Sequence, residues 1–299
     1  MWGEERRKMK ILILSVEDAI AKNQSKYSRV RYVNTAQEER SAVYFENVDI
    51  GSMKGKVCEA TIKTGDLADK IESIVLLDKE DPKPFYRTTK LDVEKVFAEI
   101  METVEKIKEP LKSIIKEIVK GPRADRFKNW PAAASVHHVF AGGLIEHTYG
   151  MLKMVDGVKD DPAHIGIDLD VVKAAVILHD IAKIATYDFE VGIAVKKNNL
   201  DTLLGHLVLA DEMVTKVARD KGLSTVNGVV LNLRHCVLSH HGKKEWGSPI
   251  FPATREAILV HQLDMIQSRS QMALESVVNV KDGERSPYNR ALEAEIVKL

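Results

Sequence analysis

The ten histidines of this 299-residue chain are unevenly placed: none precedes His137 and none follows His261. Imidazole is the commonest protein ligand for metals, so their confinement to one half calls for a chemical reason. The sharpest local signal is His179-Asp180, set inside the apolar run Ala174–Ile184. An aspartate in the middle of so apolar a helix would be expensive to bury without a compensating charge. A divalent cation supplies that charge, and imidazole with carboxylate is the ligand set of manganese, iron, zinc or nickel. The other candidates fall on apolar stripes of separate helices. His147 follows Leu144 by three and precedes Met151 by four. His206 shares a face with Ala210, Met213 and Val217, and His240 shares one with Val229, Leu233 and Cys236. Asp264 follows Val260 by four and Ala257 by seven. Five helices could thus each direct a ligand into one bundle core, as helical bundles do when they build metal sites. Taken singly, His164, His235 and His261 read as ordinary core or surface histidines.

These ligands need helices to hold them, and the sequence supplies helices only in its second part. The pattern predicts helices over Ser135–Val155, Leu169–Ile184, Asp201–Asp220, Val226–His240 and Ala253–Val278. An earlier amphipathic stretch, Leu91–Lys120, is interrupted by Pro110. The first eighty or so residues differ. Short β-compatible runs recur at Lys10–Val16, Arg29–Asn34, Ala42–Val48, Gly55–Lys63 and Ile71–Leu77, separated by turn-forming stretches. Val16–Lys22 reads as one or two helical turns. Asp81-Pro82-Lys83-Pro84 is the clearest linker, since two prolines in four residues disfavour regular hydrogen bonding. The expected division is a small β-rich domain over 1–84, a helical linker over 85–124, a helical domain over 125–280 and a tail over 281–299.

Composition excludes several classes. Lysine plus arginine equal aspartate plus glutamate, 44 against 44, so net charge gives no evidence for nucleic acid. The two cysteines, Cys58 and Cys236, fit no zinc-ligand spacing and suit a reducing cytoplasm. The apolar run at Met9–Val16 is too short for a signal peptide, and nothing approaches a membrane span. The expectation is a soluble, cytoplasmic protein without a membrane partner. A homo-oligomer is left open.

The order His147, His179-Asp180, Asp264 resembles the HD-domain signature. Leu204-Gly205-His206, Ser239-His240-His241-Gly242 and Lys183 narrow the resemblance, as do the whole of Pro131–Thr148 and Ser239–Pro249 with Pro252, Thr254, Glu256, Ala257 and His261. These stretches, over roughly residues 125–275, are similar to the HD domain of the YhaM-like 3′→5′ exoribonucleases. The resemblance implies a mainly α protein, a helical HD bundle preceded by an oligonucleotide-binding, OB-like barrel, here degenerate. It implies two divalent ions, manganese first and iron, nickel, cobalt, zinc or magnesium as alternatives. Asp180 would bridge them; His147, His179 and Asp264 would complete one site and His206, His240 and His241 the other. Gln267 stands where the family commonly has another aspartate, and Trp246 where it often has tyrosine.

Catalytic roles fall to Asp180 and Lys183. Lys183 lies one helical turn beyond His179, so its ammonium either reaches a substrate phosphate or snorkels to the surface from the helix end. Adjacent residues on a helix point about 100° apart, so His240 and His241 can both be ligands only if the helix ends there; Gly242 makes that end plausible. His137 and His138 read as substrate or ligand-supporting groups, or as polar residues at a helix start. Lys243, Lys244 and Trp246 form either a clamp for phosphate and base or a solvated charged loop. In the front domain, Tyr27, Tyr32, Tyr44 and Phe45 suit base stacking or core packing equally.

Three functions fit: an exonuclease on single-stranded RNA or DNA, a phosphohydrolase of small nucleotides, and a non-catalytic nucleotide sensor or nucleic-acid scaffold. Retention of every expected ligand argues against the third. A basic groove at the metals would favour the first over the second, and a closed pocket the reverse.

Overall fold

In the computed structural model, residues 6–21, 23–45, 49–64, 69–134, 138–190 and 194–299 are described. The chain divides into two compact units, 1–88 with 189–194 and 89–188 with 195–299.

The first unit is built on five strands: β1 (Arg6–Ile20), β2 (Lys26–Asn34), β3 (Glu39–Tyr44), β4 (Val57–Lys63) and β5 (Asp69–Leu76). They close into a barrel in the order β1-β2-β3-β5-β4, with β3 and β5 parallel and the other neighbours antiparallel. Alternation sends Ile11, Ile13, Val30, Tyr32, Ala60 and Ile62 inward. The same alternation sends Leu12 and Leu14 to the opposite face of β1, where they pack with Val33, Val57 and Phe85 in a second small core; the β1–β2 register shifts between Ile13 and Ser15. The small β-rich domain expected from the sequence, and implied by the resemblance as a degenerate barrel, is a closed five-stranded barrel. The helical turns expected over Val16–Lys22 are not: β1 runs on to Ile20 because Val16–Ile20 pair with Lys26–Val30. Tyr32 and Tyr44 are core residues. Phe45, in contrast, is 46% exposed and stacks on Tyr27 at 5.5 Å.

The second unit is helical: α1 (Val93–Lys106), α2 (Leu111–Ile118), α3 (Pro122–Asn129), α4 (Gly143–Val158), α5 (Leu169–Leu178), α6 (Lys183–Thr186), α7 (Asn199–Leu203), α8 (His206–Asp220), α9 (Gly228–Ser239) and α10 (Arg255–Ser276). A two-stranded hairpin, β6 (Tyr187–Glu190) and β7 (Ala194–Lys197), lies between α6 and α7. Sequence-local caps set several starts: Asp92 for α1, Asp168 for α5, Asn198 for α7 and Thr254 for α10 each accept backbone N–H bonds. One apolar core runs through the helices, from Ile100, Val104, Ile114 and Phe127 to Val176, Val214, Leu233 and Val260. The segment 85–124, expected as a linker, thus contributes α1 and α2 to this core.

Three helices are shorter than their apolar patterns suggest, and each break serves the site. The helix expected from Ser135 begins at Gly143, after Gly142 at φ +78°. A Cβ on Gly143 would lie 2.2 Å from the His138 carbonyl, so the incoming chain packs where only glycine fits. The helix expected over Leu169–Ile184 turns off at His179 and restarts at Lys183. The one expected over Asp201–Asp220 is divided by Gly205 at φ +79°.

Candidate metal centre

His147 projects from α4 and Asp264 from α10. His179 caps the end of α5 with Asp180 in the following turn, His206 opens α8, and His240-His241 follow the last residue of α9. Helix ends dominate because a chain leaving a helix can present successive side chains to one point. Here His240 and His241 do so, their rings 4.5 Å apart, before Gly242 at φ +78° turns the chain away.

Asp180 lies at the centre. Its Oδ1 is 3.3 Å from His206 Nε2 and 3.6 Å from His240 Nε2. Its Oδ2 is 3.3 Å from His179 Nε2 and 4.0 Å from His147 Nε2. Asp264 Oδ1 is 3.3 Å from His147 Nε2, which is 3.2 Å from His179 Nε2. Donor atoms of His147, His179 and Asp264 lie within 4.8 Å of one another, as do those of His206, His240 and His241, and of His179, Asp180 and His240. Ligand atoms ~2.1 Å from one ion stand roughly 3–3.5 Å apart, so most of these spacings match a coordination shell. Asp180 Oδ1, His206 Nε2 and His240 Nε2 are buried and have no hydrogen-bond partner among the described residues. Orphaned buried polar atoms are rare in a folded core; three converging on one point fit a divalent cation.

The outer nitrogens explain why Nε2 faces inward. His179 Nδ1 donates to the Val176 carbonyl at 2.9 Å, His240 Nδ1 to that of Val237 at 2.7 Å, and His241 Nδ1 to that of Trp246 at 2.7 Å. His147 Nδ1 lies 2.5 Å from Gln267 Oε1, and His206 Nδ1 3.5 Å from Asp201 Oδ1. An acceptor at Nδ1 holds the proton there and leaves the Nε2 lone pair for a metal.

Electrostatics favour the ligating forms at most positions. Burial opposes the charge on Asp180, but Lys183 and His179 outweigh it and hold the carboxyl well below the usual range. Burial also opposes Asp264, and His147 with its neighbours overrides it. Burial depresses His240 and pushes His241 down to about 2, so both rings are neutral donors near pH 7. At His179 burial works against the imidazolium, but Asp180 prevails and raises it.

Lys183 is buried, and its Nζ donates to Asp180 Oδ2 at 2.5 Å. The surface-lysine alternative is therefore removed. With α5 ended at Leu178, Lys183 is directed at Asp180 by the turn and not by a continuous helix face. The fully buried His138 sits behind His147, its Nε2 3.2 Å from Gln267 Oε1. It contacts Gln267, whose Oε1 also faces His147, and is not among the residues lining the cavity. His137 lies outside the described residues. Trp246, 43% exposed, lines the cavity at the centre, whereas Lys243 is set behind it with its ammonium 4.5 Å over the indole. His164 and His235 bond to backbone groups away from the centre, and His261 Nδ1 donates to the His240 carbonyl.

The cavity has a volume of about 420 Å³ and is lined by Lys183, His206, His241 and Asp264 together with Tyr187, Lys197, Trp246, Arg269 and Arg290. It is not sealed, since Lys197, Trp246 and Arg290 are exposed. Cations beside an open cavity are the arrangement expected of a nuclease more than of an enclosed small-nucleotide site.

Gln267 behind His147 and Asp201 facing His206 are neighbours of the centre that sequence reasoning did not reach. Asp201 was visible only as a residue five before His206, beyond the reach of a single helical turn.

A buried His-Asp pair at a helix end, with further histidines converging from neighbouring helices, defines an HD-domain metal site, and a family model of the HD domain matches residues 144–269. The chain is 33% identical over 218 residues to a 3′-5′ exoribonuclease YhaM of Listeria monocytogenes serotype 4b, an alignment covering 73% of this chain and 67% of that protein. It is 34% identical over 200 residues to the YhaM exoribonuclease of Bacillus velezensis, covering 65% and 62%, and 31% identical over 210 residues to that of Bacillus subtilis, covering 70% and 65%. The chain belongs to the YhaM family of HD-domain proteins and is a metal-dependent phosphohydrolase.

Proposed function

We propose that this protein removes nucleotides from the 3′ end of single-stranded RNA, using two divalent ions, manganese for preference. The observation that carries the two-ion reading is the position of Asp180, one oxygen turned to His206 and His240 and the other to His147 and His179. His147, His179 and Asp264 would hold one ion and His206, His240 and His241 the other, with Asp180 placed to serve both. Ions held there would supply Lewis acidity and an activated water near neutral pH, the chemistry phosphodiester hydrolysis requires. Lys183 keeps Asp180 ionised and presents positive charge to the phosphate at the cavity wall. Trp246 offers an indole face to a base, and Lys243 braces that indole. In the barrel, Tyr27 and Phe45, with Arg29 and Lys70 over their rings, form a second stacking surface. The names of the relatives support RNA over DNA.

The test follows 5′-labelled single-stranded RNA and DNA with manganese-loaded protein, beside a His179→Ala/Asp180→Ala variant. A metal-dependent ladder shortening from the 3′ end of RNA, absent in the variant, is the expected result. Intact RNA would overturn the proposal, and faster loss of DNA would transfer it to the other sugar.

A further inference from the structure

One wall of the metal-site cavity comes from outside the helical bundle. Arg290, Ala291 and Glu293 line it, and they belong to the C-terminal segment that follows α10. That segment folds back on itself. Gly283 N–H donates to the Lys298 carbonyl, Ser286 N–H to that of Ile296, and Asn289 and Ala294 exchange N–H···O bonds in both directions. Its tip is fastened to α10: Arg269 donates to the carbonyls of Ala291 and Leu292 at 3.2 and 3.3 Å, and Asn289 Nδ2 to Ser276 Oγ at 3.2 Å. The Asn289 side-chain oxygen in turn accepts from the N–H groups of Ala291 and Leu292. An otherwise irregular tail is thus held at the one place where it borders the site.

The cations around the cavity are not equivalent. Lys183 already bonds Asp180, Lys197 pairs with Asp201 at 2.9 Å, and Arg269 bonds the tail carbonyls. Arg290 forms no hydrogen bond or ion pair among the described residues, although it lines the same cavity as the metal ligands. A guanidinium without an acidic partner, held beside a phosphoester-hydrolysing centre, has the planar donor fork that suits a phosphate.

We propose that the hairpin of residues 283–298 is a substrate-binding element of the metal site and that Arg290 binds the phosphate of the nucleotide in the cavity. This rests on the reading that the cavity takes a nucleotide, and it assigns the tail a role in recognition. Ligand pockets run from about 300 to 1,000 Å³, so a cavity near 420 Å³ suits one nucleotide in preference to an extended strand. The terminal nucleotide would then be the part of the chain that Arg290 senses.

The experiment measures binding of adenosine 5′-monophosphate and of adenosine to manganese-loaded wild type, Arg290→Ala and Arg290→Lys by calorimetry, with a manganese titration of each protein. Loss of one charge-assisted contact at a partly exposed site predicts about tenfold weaker monophosphate binding in Arg290→Ala. Arg290→Lys should fall between, adenosine binding should not change, and manganese affinity should match wild type. Equal monophosphate affinity in Arg290→Ala, an equal loss for adenosine, or no monophosphate binding by wild type each overturns the proposal. The RNA ladder is read separately: without degradation but with Arg290-dependent monophosphate binding, the exonuclease reading fails and this one stands.

Discussion

Replacing Gln267 with leucine should weaken metal binding without touching a ligand. Gln267 Oε1 lies 2.5 Å from His147 Nδ1, and the His147 ring is fully buried. Leucine is close in volume to glutamine but cannot accept a hydrogen bond, so the Nδ1–H of His147 would lose its acceptor. Leaving a buried donor unsatisfied costs about 1–3 kcal/mol. His147 can relieve that by turning its ring or moving the proton to Nε2, and either response removes the lone pair aimed at the site. Loss of such outer partners lowers metal affinity by about 10–100-fold, which at ~1.4 kcal/mol per tenfold is ~1.4–2.8 kcal/mol, the same size as the desolvation penalty. The assay is manganese titration by calorimetry, with circular dichroism to confirm the fold. Gln267→Glu restores an acceptor, and a charged one, so it should bind manganese at least as well as wild type. If Gln267→Leu binds manganese with wild-type affinity, Gln267 does not orient His147 and the reasoning fails.

Other perturbations read different parts of the structure. Manganese at about 100 times its dissociation constant should stabilise the wild type by ~2.7 kcal/mol, raising Tm by roughly 5–10 °C for a helical unit of this size; Asp180→Asn should show no metal-dependent shift in a thermal melt, and a full shift would refute the shared role of that carboxylate. Gly242→Ala should lose stability and manganese affinity together, because a Cβ there would meet the His261 ring at 2.2 Å and φ is +78°; the strain is on the order of 1–3 kcal/mol, and an unchanged melt with unchanged titration would contradict it. Cys58 and Cys236 are wholly buried, and burial pushes their thiols up to about 11 and about 12. Neither should react with a disulfide reagent at pH 8 in the native protein, whereas both should after denaturation; prompt labelling of either would show that its surroundings open.

The cluster of side chains that the structure brings together was legible because residue type and helical period together mark its members. His147, His206, His240 and Asp264 sit among apolar residues at steps of three and four, where a polar side chain needs a reason. His241 was harder, because its use depends on where α9 stops, and the only written sign of that is Gly242. The acceptors behind the imidazoles were invisible for a physical reason: the carbonyls of Val176, Val237 and Trp246 are carried by every residue alike. Gln267 was noticed as a departure from a pattern, but its contact with His147 arises only when α10 crosses α4. The five strands of the barrel were readable from alternation, whereas the end of β1 was not, since Val16–Ile20 become a strand only through pairing with β2. The helix breaks at His179 and Gly205 lay hidden inside apolar patterns that would suit unbroken helices.

The use of main-chain oxygens behind His179, His240 and His241 has a bearing on mutational tolerance. Side-chain replacement at Val176, Val237 or Trp246 leaves the carbonyl in place, so the supports of three of the five imidazoles survive point mutation and can be lost only by moving a helix end. Gln267 has no such insurance, because a single codon change deletes the acceptor of His147. In any set of random variants selected for retained metal binding, neighbours of the first kind should diversify freely, while position 267 should stay confined to residues that can accept a hydrogen bond.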